Sequence, residues 1–262
     1  MLKKIVKQIV YYLWVLYSHI GWQLSLKTPH KLTVLITYYN PARIRHVNPQ
    51  IRNLLKCKYI ERVIISSHNP DLKIEDHVIV RNPRLVLLNQ DVRRACGYRW
   101  VVAREYSPRY LVVIDDDILL FPFQLKRLFQ RLIVEPNVPH GISGMVQMEN
   151  GDLEFHQWKN MDVHYLTEVY AVTHEHLEQY FEMVDLFAER DENIPERVEH
   201  LGDFIVISQT GAQNPKIHKV GRIFRDVTFN TPGVANHKEE QFSNVVTEVS
   251  QAVKELRPQF FV

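Results

Sequence analysis

The sequence predicts a single α/β domain built on a mostly parallel sheet that is flanked by helices. Short apolar runs rich in branched residues alternate with helix-like segments along the chain. This alternation is typical of parallel strands that are joined by crossover helices. Polar residues directly follow several of the runs, at the strand ends where α/β sheets bind their ligands. The 262 residues are enough for one large core.

Each predicted element is assigned from its apolar period and from the residues that bound it. The first strand, Leu32 to Tyr38, has the letters LTVLITY and ends before Asn40-Pro41. A helix-like segment follows it through Lys58, and residues 201–210 are predicted as either a helix or a strand. The remaining strands are predicted at 62–67, 77–81, 109–114, 141–148 and 164–173, and helices at 91–106, 123–132, 174–187 and 239–256.

The first 27 residues are distinct from the domain predicted at 28–262. Lysines near the N-terminus precede an apolar and aromatic stretch from Ile9 to Trp22. A membrane span needs about 20 apolar residues, and Tyr and Trp suit the headgroup region. We therefore expect a membrane-associating or anchor helix, and a membrane-associated protein: Golgi type II if eukaryotic, on the cytoplasmic face of the membrane if bacterial. The alternative is an amphipathic helix packed on the domain.

The charge balance gives no support to a nucleic-acid binder. The chain has 32 Lys plus Arg against 30 Asp plus Glu, a net charge of +2, whereas nucleic-acid binding requires a clustered basic surface. The two cysteines, Cys57 and Cys96, form neither a disulfide framework nor a zinc site.

The most informative motif is the run Asp115-Asp116-Asp117, which interrupts an apolar stretch. Adjacent carboxylates repel one another, and each would cost several kcal/mol if buried without a partner. A hard divalent cation takes oxygen ligands and neutralises such a cluster. An extended chain places Asp115 and Asp117 on one side and Asp116 on the other, so two carboxylates can share a metal ion.

A solvated acidic turn after a strand is the competing interpretation of this run. Its position at the end of a predicted strand favours the metal site. We predict Asp117 as a direct metal ligand and Asp115 as a second ligand or a ribose contact. Asp116 is expected to pair with an arginine such as Arg94, or to face solvent.

Several segments together resemble the GT-A glycosyltransferases, and most closely their exostosin-like domains of the heparan-synthesis type. The resemblance covers roughly residues 31–250. It rests on Thr37-Tyr38-Tyr39-Asn40 after the first strand, Val63 to Asn69, Asn89 to Arg94, the strand VVIDDDILL, Tyr165 to Tyr180, and His200 to Ser208.

Two departures from the family pattern bear on the site. The family has an arginine directly after the asparagine of its first motif, whereas here Pro41-Ala42 intervene before Arg43. Family members also carry an acidic pair before an apolar helix, and here Gly202 precedes Asp203 where a second carboxylate is usual.

The resemblance implies a GT-A (Rossmann-like) fold with a small antiparallel acceptor-side part, a UDP-sugar donor, Mn²⁺ or Mg²⁺, and transfer to a hydroxyl of a glycan or other acceptor with retention of configuration. Its implied site residues are Tyr39 stacking on the base, Arg43 and Arg94 at the diphosphate, Asp203 in catalysis and His237 as a metal ligand.

Each of these assignments has a simpler alternative. An ordinary salt bridge explains Arg43 or Arg94 nearly as well, and packing explains Tyr39. Asp203 precedes an apolar run, as a helix N-cap residue does. With 13 histidines in the chain, His237 also suits a surface position.

Two other functions compete with the transferase. A nucleotidyltransferase shares the sheet and the acidic motif, but it usually has a glycine-rich loop after the first strand, and none follows Tyr39. A catalytically inactive sugar-binding or scaffold protein on the same fold is the second, because fold does not decide function.

Overall fold

The apolar runs form the strands of a central sheet. The structure is a computed structural model that describes residues 2–21, 23–148, 151–226, 228 and 239–260. The strands are β1 Leu32–Tyr38, β2 Ile60–Ser67, β3 Leu85–Asn89, β4 Tyr110–Asp115, β5 Ile118–Leu119, β6 His140–Gln147, β7 Leu153–Gln157, β8 Met161–Asp162, β9 Tyr165–Thr173, β10 Lys216–Ile217 and β11 Phe224–Arg225. The helices are α1 Leu2–His19, α2 Val47–Leu55, α3 Tyr98–Glu105, α4 Pro122–Val134, α5 His174–Arg190, α6 Ile194–Arg197, α7 Asp203–Ser208 and α8 Phe242–Leu256.

The sheet has the order β3-β2-β1-β4-β9-β6-β10-β8, with β7 paired to β6. Strands β3, β2, β1 and β4 run parallel, and β9 then pairs with β4 in the antiparallel sense. This confirms the predicted α/β class with a mainly parallel central sheet. The carboxyl ends of β1 and β4 therefore meet at one edge, with Thr37 in register with Asp115.

Two apolar layers cover the sheet, and the alternation of β4 assigns its residues to them. Val112 and Ile114 pack in the layer that contains α2 and α4. Leu111 and Val113 pack in the opposite layer, with α3, α5, α7 and α8. Continuing the alternation directs Asp115 toward the α3 side and Asp116 toward the α2 side.

Helix α1 is packed on the domain. Trp14 is only 1% exposed, and its indole Nε1 donates a hydrogen bond to the carbonyl of Leu120 at 3.0 Å. The ring of Tyr17 meets Phe121 edge-on at a centroid distance of 5.2 Å. Trp14 and Tyr17 thus anchor the helix beside the segment that follows the acidic run.

The predicted membrane location is wrong in both of its forms, the Golgi type II form and the cytoplasmic-face form. Within the described ranges, no helix combines the length and apolar character that crossing a membrane requires. Helix α1 contains Lys3, Lys4 and Lys7 within its first turns, which lowers its hydrophobicity.

Two predicted elements are displaced in the structure. The third strand lies at 85–89 instead of 77–81, because a turn at Asn82, whose side chain accepts from the Arg84 amide at 2.9 Å, precedes it. The helix predicted at 91–106 begins only at Tyr98. Before it, the amides of Arg94 and Gly97 donate to His68 and Glu199 of other segments, and these bonds replace helical ones.

Candidate active site

The acidic run forms the turn that connects β4 to β5, at the carboxyl edge of the sheet. Asp115 is the last residue of β4, and Asp116 and Asp117 make the turn. Because the chain turns at Asp116 and Asp117, the alternation of the strand does not extend to Asp117. Asp117 consequently contacts the same residue as Asp116. The prediction that Asp115 and Asp117 lie on the same side of the chain is therefore not met.

That partner is Arg43, from the 3-10 helix at Pro41–His46 that follows β1. Its Nη1 lies 2.6 Å from Asp116 Oδ1, and its Nη2 lies 2.9 Å from Asp117 Oδ2. All three side chains are buried. The structure thus brings Arg43 together with the acidic run, and Arg43, not Arg94, is the partner of Asp116.

Asp115 is held from the other side of the sheet by Arg99 of α3. Arg99 Nη1 lies 2.7 Å from Asp115 Oδ1, and its Nε lies 2.7 Å from Asp203 Oδ2. The buried guanidinium also lies over the ring of Tyr170, 4.7 Å from its centroid. Arg99 therefore connects the acidic turn to Asp203, and sequence reasoning did not identify it, because no local motif marks residue 99.

Asp203 is 1% exposed, and hydrogen-bond donors surround its carboxylate. Besides Arg99, the indole Nε1 of Trp100 donates to Oδ2 at 2.8 Å, and the thiol of Cys96 lies 3.4 Å from Oδ1. Gly202 is the N-cap residue of α7, and Asp203 is the first residue of the helix. Its carboxylate is thus placed to orient Arg99, and the role of Asp203 in catalysis stays a prediction.

Gly202 occupies its position for a steric reason. A Cβ at this residue would lie 2.8 Å from Cγ2 of Val249 on α8, a distance that real Cβ atoms do not show. The close packing of α8 against the turn before α7 therefore excludes the second carboxylate that the resemblance leads one to expect.

The pKa values of the acidic run are raised by crowding and burial. Burial raises the pKa of Asp115 to about 6, opposed by Arg99 and supported by Asp116 and Glu168. Burial and the neighbouring Asp116 raise the pKa of Asp117 well above its usual range, although Arg43 acts in the opposite direction. The arginines around the turn therefore compensate the negative charge of its three carboxylates only in part.

A short segment after β10 lies against the turn. Strand β11 pairs with β5, and the amide of Asp226 donates to the carbonyl of Asp117 at 2.9 Å. Asp226 is paired with Arg45, and His46 Nε2 lies 3.0 Å from its Oδ2. Burial tends to raise the pKa of Asp226, but the close contact with His46 and hydrogen bonds from Thr228 and Arg45 outweigh burial and lower it.

Glu168 of β9 is a further carboxylate at this edge, which sequence reasoning missed. It is buried and is paired with Arg225 of β11, whose Nη2 lies 2.6 Å from Oε2. Its charge contributes to the raised pKa values of Asp115 and Asp117. A glutamate inside the apolar run that forms β9 was the available sequence signal.

The other predicted nucleotide contacts lie beside β1. Tyr39 is 45% exposed, and its hydroxyl accepts a hydrogen bond from Arg93 at 3.2 Å. Arg94 instead lies over the ring of Tyr98, 4.4 Å from the centroid. His237, the predicted metal ligand, lies outside the described residues. The geometry thus places Arg93, not Arg94, next to Tyr39.

A cavity of about 680 Å³ lies at the other edge of the sheet, away from the acidic turn. It is lined by residues such as Arg109 and Tyr110 at the start of β4 and Thr173 at the end of β9. None of the predicted site residues that the structure describes lines it. The cavity is therefore separate from the candidate active site.

The charge of the site fits a divalent cation that is held together with a diphosphate. Within the described parts of the chain, no three His, Cys, Asp or Glu side chains form a ready-made metal cage. Hard cations at phosphate-transfer sites are commonly held by one or two carboxylates plus substrate phosphates. The carboxylates at this edge outnumber their guanidinium partners by two; they are Asp115, Asp116, Asp117, Glu168, Asp203 and Asp226, with Arg43, Arg45, Arg99 and Arg225.

Comparison with known proteins identifies the fold. No family model matches the chain, and no curated protein matches its sequence. A crystal structure of GalNAc-T7 with UDP, GalNAc and Mn²⁺ superposes with a TM-score of 0.56 at 9% identity, over 87% of this chain and 51% of that one. The chain thus spans about half the length of that transferase structure.

A second solved structure is similar over its whole length. CMP:2-keto-3-deoxy-manno-octonic acid synthetase, complexed with CTP, superposes with a TM-score of 0.50 at 12% identity, over 83% of this chain and 99% of that one. The chain has a GT-A-like fold, as predicted. The likeness extends to this fold and not to the exostosin-like family in particular.

Proposed function

We propose that the chain is a metal-dependent glycosyltransferase that moves a sugar from a UDP-sugar to a hydroxyl of a glycan or other acceptor, with retention of configuration. The observation that carries the proposal is the buried acidic turn at the carboxyl end of β4, whose carboxylates exceed the guanidinium charges around them. The similarity to a transferase structure that contains UDP and Mn²⁺ supports the choice of ligand.

Asp117 and Asp115 would hold the metal ion, Mn²⁺ or Mg²⁺. Such an ion would supply Lewis-acid stabilisation of the negative charge that develops on the leaving group. Arg43, which now neutralises Asp116 and Asp117, can bind a phosphate oxygen instead, because guanidinium groups match phosphate geometry. The acidic turn and Arg43 would thus exchange partners when the nucleotide binds.

Asp203 acts as a positioning residue in this proposal. Its buried carboxylate fixes Arg99, and Arg99 in turn fixes Asp115 at 2.7 Å. Tyr39 remains the proposed stacking partner for the base, because its side chain is 45% exposed directly after β1. His237 remains a proposed metal ligand on the strength of the resemblance alone.

Ligand-dependent thermal unfolding tests the proposal. A ligand that binds the native state at 100 times its Kd stabilises it by about 2.7 kcal/mol, which corresponds to roughly 5–10 °C for a chain of this size. We expect UDP with Mn²⁺ to produce such a shift in the wild type and Asp117→Asn to abolish it. Asp162→Asn, an exposed aspartate on β8, is the matched control and should keep the shift.

UDP release from UDP-sugars in the presence of Mn²⁺ then separates an enzyme from an inactive sugar-binding protein. A wild type that shows neither the UDP shift nor UDP release would contradict the transferase proposal.

A nucleotidyltransferase is the second candidate, because the synthetase structure with CTP is matched over nearly its whole length. The loop after β1, from Tyr39 to Arg43, contains no glycine, which disfavours it. CTP in place of UDP distinguishes the two in the same unfolding assay: stabilisation by CTP but not by UDP would favour the nucleotidyltransferase.

A further inference from the structure

Glu168 occupies an unusual position in the sheet. Between the pairs Gly141 with Tyr170 and Ser143 with Thr167, β9 has one residue more than β6, so the strand contains a β-bulge. Glu168 has a φ of +67°, in the left-handed region that is strained for a residue with a side chain. A bulge of this kind redirects a side chain, and bulges are over-represented next to active sites.

The bulge directs a charge toward the acidic turn. The ladder between β4 and β9 ends with Ile114 opposite Val169, so the next residues across the two strands are Asp115 and Glu168. Like charges opposite one another destabilise a sheet. Glu168 is nevertheless buried, with 6% of its surface exposed. Two carboxylates that face each other in a buried position are expected where a bound ligand interacts with them.

Arg225 and Ser143 fix the carboxylate of Glu168 without using all of its acceptor positions. Arg225 donates to both oxygens, and the Ser143 hydroxyl lies within hydrogen-bond distance of Oε2. An ionised carboxylate has about four acceptor positions. These three contacts therefore leave about one position for a hydroxyl donor from a ligand.

The order of the strands assigns Glu168 to one part of the proposed donor. Tyr39 and Arg43 follow β1, the acidic turn follows β4, and Glu168 lies on the next strand, β9. Along the edge from β1 to β9, the residues proposed to contact the base and the phosphates follow β1, and those proposed to hold the metal follow β4. The group beyond the diphosphate in a nucleotide sugar is the sugar itself.

We propose that Glu168 reads the transferred sugar by accepting a hydrogen bond from one of its hydroxyls, and that it thereby sets donor specificity. This inference rests on the proposed function, since it assumes a UDP-sugar in the site. It assigns Glu168 neither to the metal nor to the nucleotide. Arg225 acts as a positioning residue that orients the carboxylate.

Binding of UDP and of UDP-sugars to Glu168→Gln tests this role. The probes are UDP, UDP-glucose, UDP-galactose, UDP-N-acetylglucosamine, UDP-N-acetylgalactosamine and UDP-glucuronic acid, each with Mn²⁺. We expect the wild type to bind at least one UDP-sugar more tightly than UDP. Glu168→Gln should bind UDP within about twofold of the wild type and bind the preferred sugar at least about tenfold more weakly, the size expected for a hydrogen bond to a charged group.

Glu168→Asp is a second variant for the case that Glu168→Gln does not fold. It keeps the charge and can still pair with Arg225. It should unfold near the wild-type temperature without ligand, bind UDP normally and lose the preference among sugars. An unchanged sugar preference in Glu168→Gln, or in Glu168→Asp if the first variant does not fold, overturns the proposal. An equal loss of UDP and UDP-sugar binding also overturns it, because that result indicates a purely structural residue.

The failure of this inference differs from that of the proposed function. If the wild type binds UDP with Mn²⁺ but no UDP-sugar more tightly than UDP, only the role of Glu168 is overturned. If the wild type does not bind UDP, the proposed function fails and the role of Glu168 fails with it.

Discussion

At the residue scale, the site depends on how buried charges are compensated. Arg99 lies between Asp115 and Asp203, and Arg43 lies between Asp116 and Asp117. A buried charge that loses its partner costs about 3–5 kcal/mol. Each arginine therefore holds two carboxylates in place, and the geometry of the acidic turn depends on both arginines.

Replacing Asp203 by Asn should lower the free energy of unfolding by about 3 kcal/mol, because it weakens the buried pair with Arg99. Chemical denaturation of the wild type and the variant measures this difference. Asp185→Asn, at an exposed position on α5, is the control and should stay within about 0.5 kcal/mol. Equal stability of Asp203→Asn and the control would show that the buried pair contributes nothing.

At the element scale, short segments from distant parts of the chain enclose the acidic turn. The 3-10 helix after β1 supplies Arg43, α3 supplies Arg99, and β11 pairs with β5 directly beyond the turn. Helix α1 supports the same region, since Trp14 donates to the carbonyl of Leu120. The N-terminal helix is thus part of the structure that positions the site.

Replacing Trp14 by Ala should destabilise the protein by about 3–5 kcal/mol, because it removes a fully buried aromatic side chain and leaves a cavity. Tyr12→Ala on the same helix is the control: Tyr12 is 60% exposed, so its loss should cost less than about 1 kcal/mol. Thermal unfolding of the two variants provides the comparison. A tryptophan variant as stable as the tyrosine variant would show that α1 does not contribute to the folded domain.

At the scale of the whole molecule, the carboxylate excess links the stability of the protein to pH. The pKa of Asp115 is raised to about 6 in the folded state from its ordinary value of 3.8. Between these values the folded state binds more protons than the unfolded state, so this residue stabilises the fold at low pH and loses that contribution as pH rises toward 6.

Comparison of the wild type with Asp115→Asn isolates this effect. We expect the stability of the wild type relative to the variant to fall as pH increases from 4 to 7, with most of the change complete just above pH 6. Unfolding free energies measured across this range give the slope. Asp191→Asn is the control, because hydrogen bonds from Asn193 lower the pKa of this exposed residue and confine its effect to lower pH. A flat difference for Asp115→Asn would contradict the raised pKa.

Much of the fold followed from local patterns. The alternating apolar runs predicted β1 with its bounds, and the acidic turn was expected at the end of β4, where the structure has it. The third strand is displaced because a local turn at Asn82 precedes it. The shortened α3 could not be predicted in the same way, because the amides of Arg94 and Gly97 bond to segments distant in sequence.

The sequence by itself determined the α/β sheet and the three adjacent aspartates at one of its edges, because apolar period and strand ends are local properties of the chain. Only the tertiary structure decided the partners of those aspartates: Arg43 for Asp116 and Asp117, and Arg99 for Asp115. It also revealed Glu168 beside them. Charge pairing depends on distances between residues far apart in sequence, and only folding sets those distances.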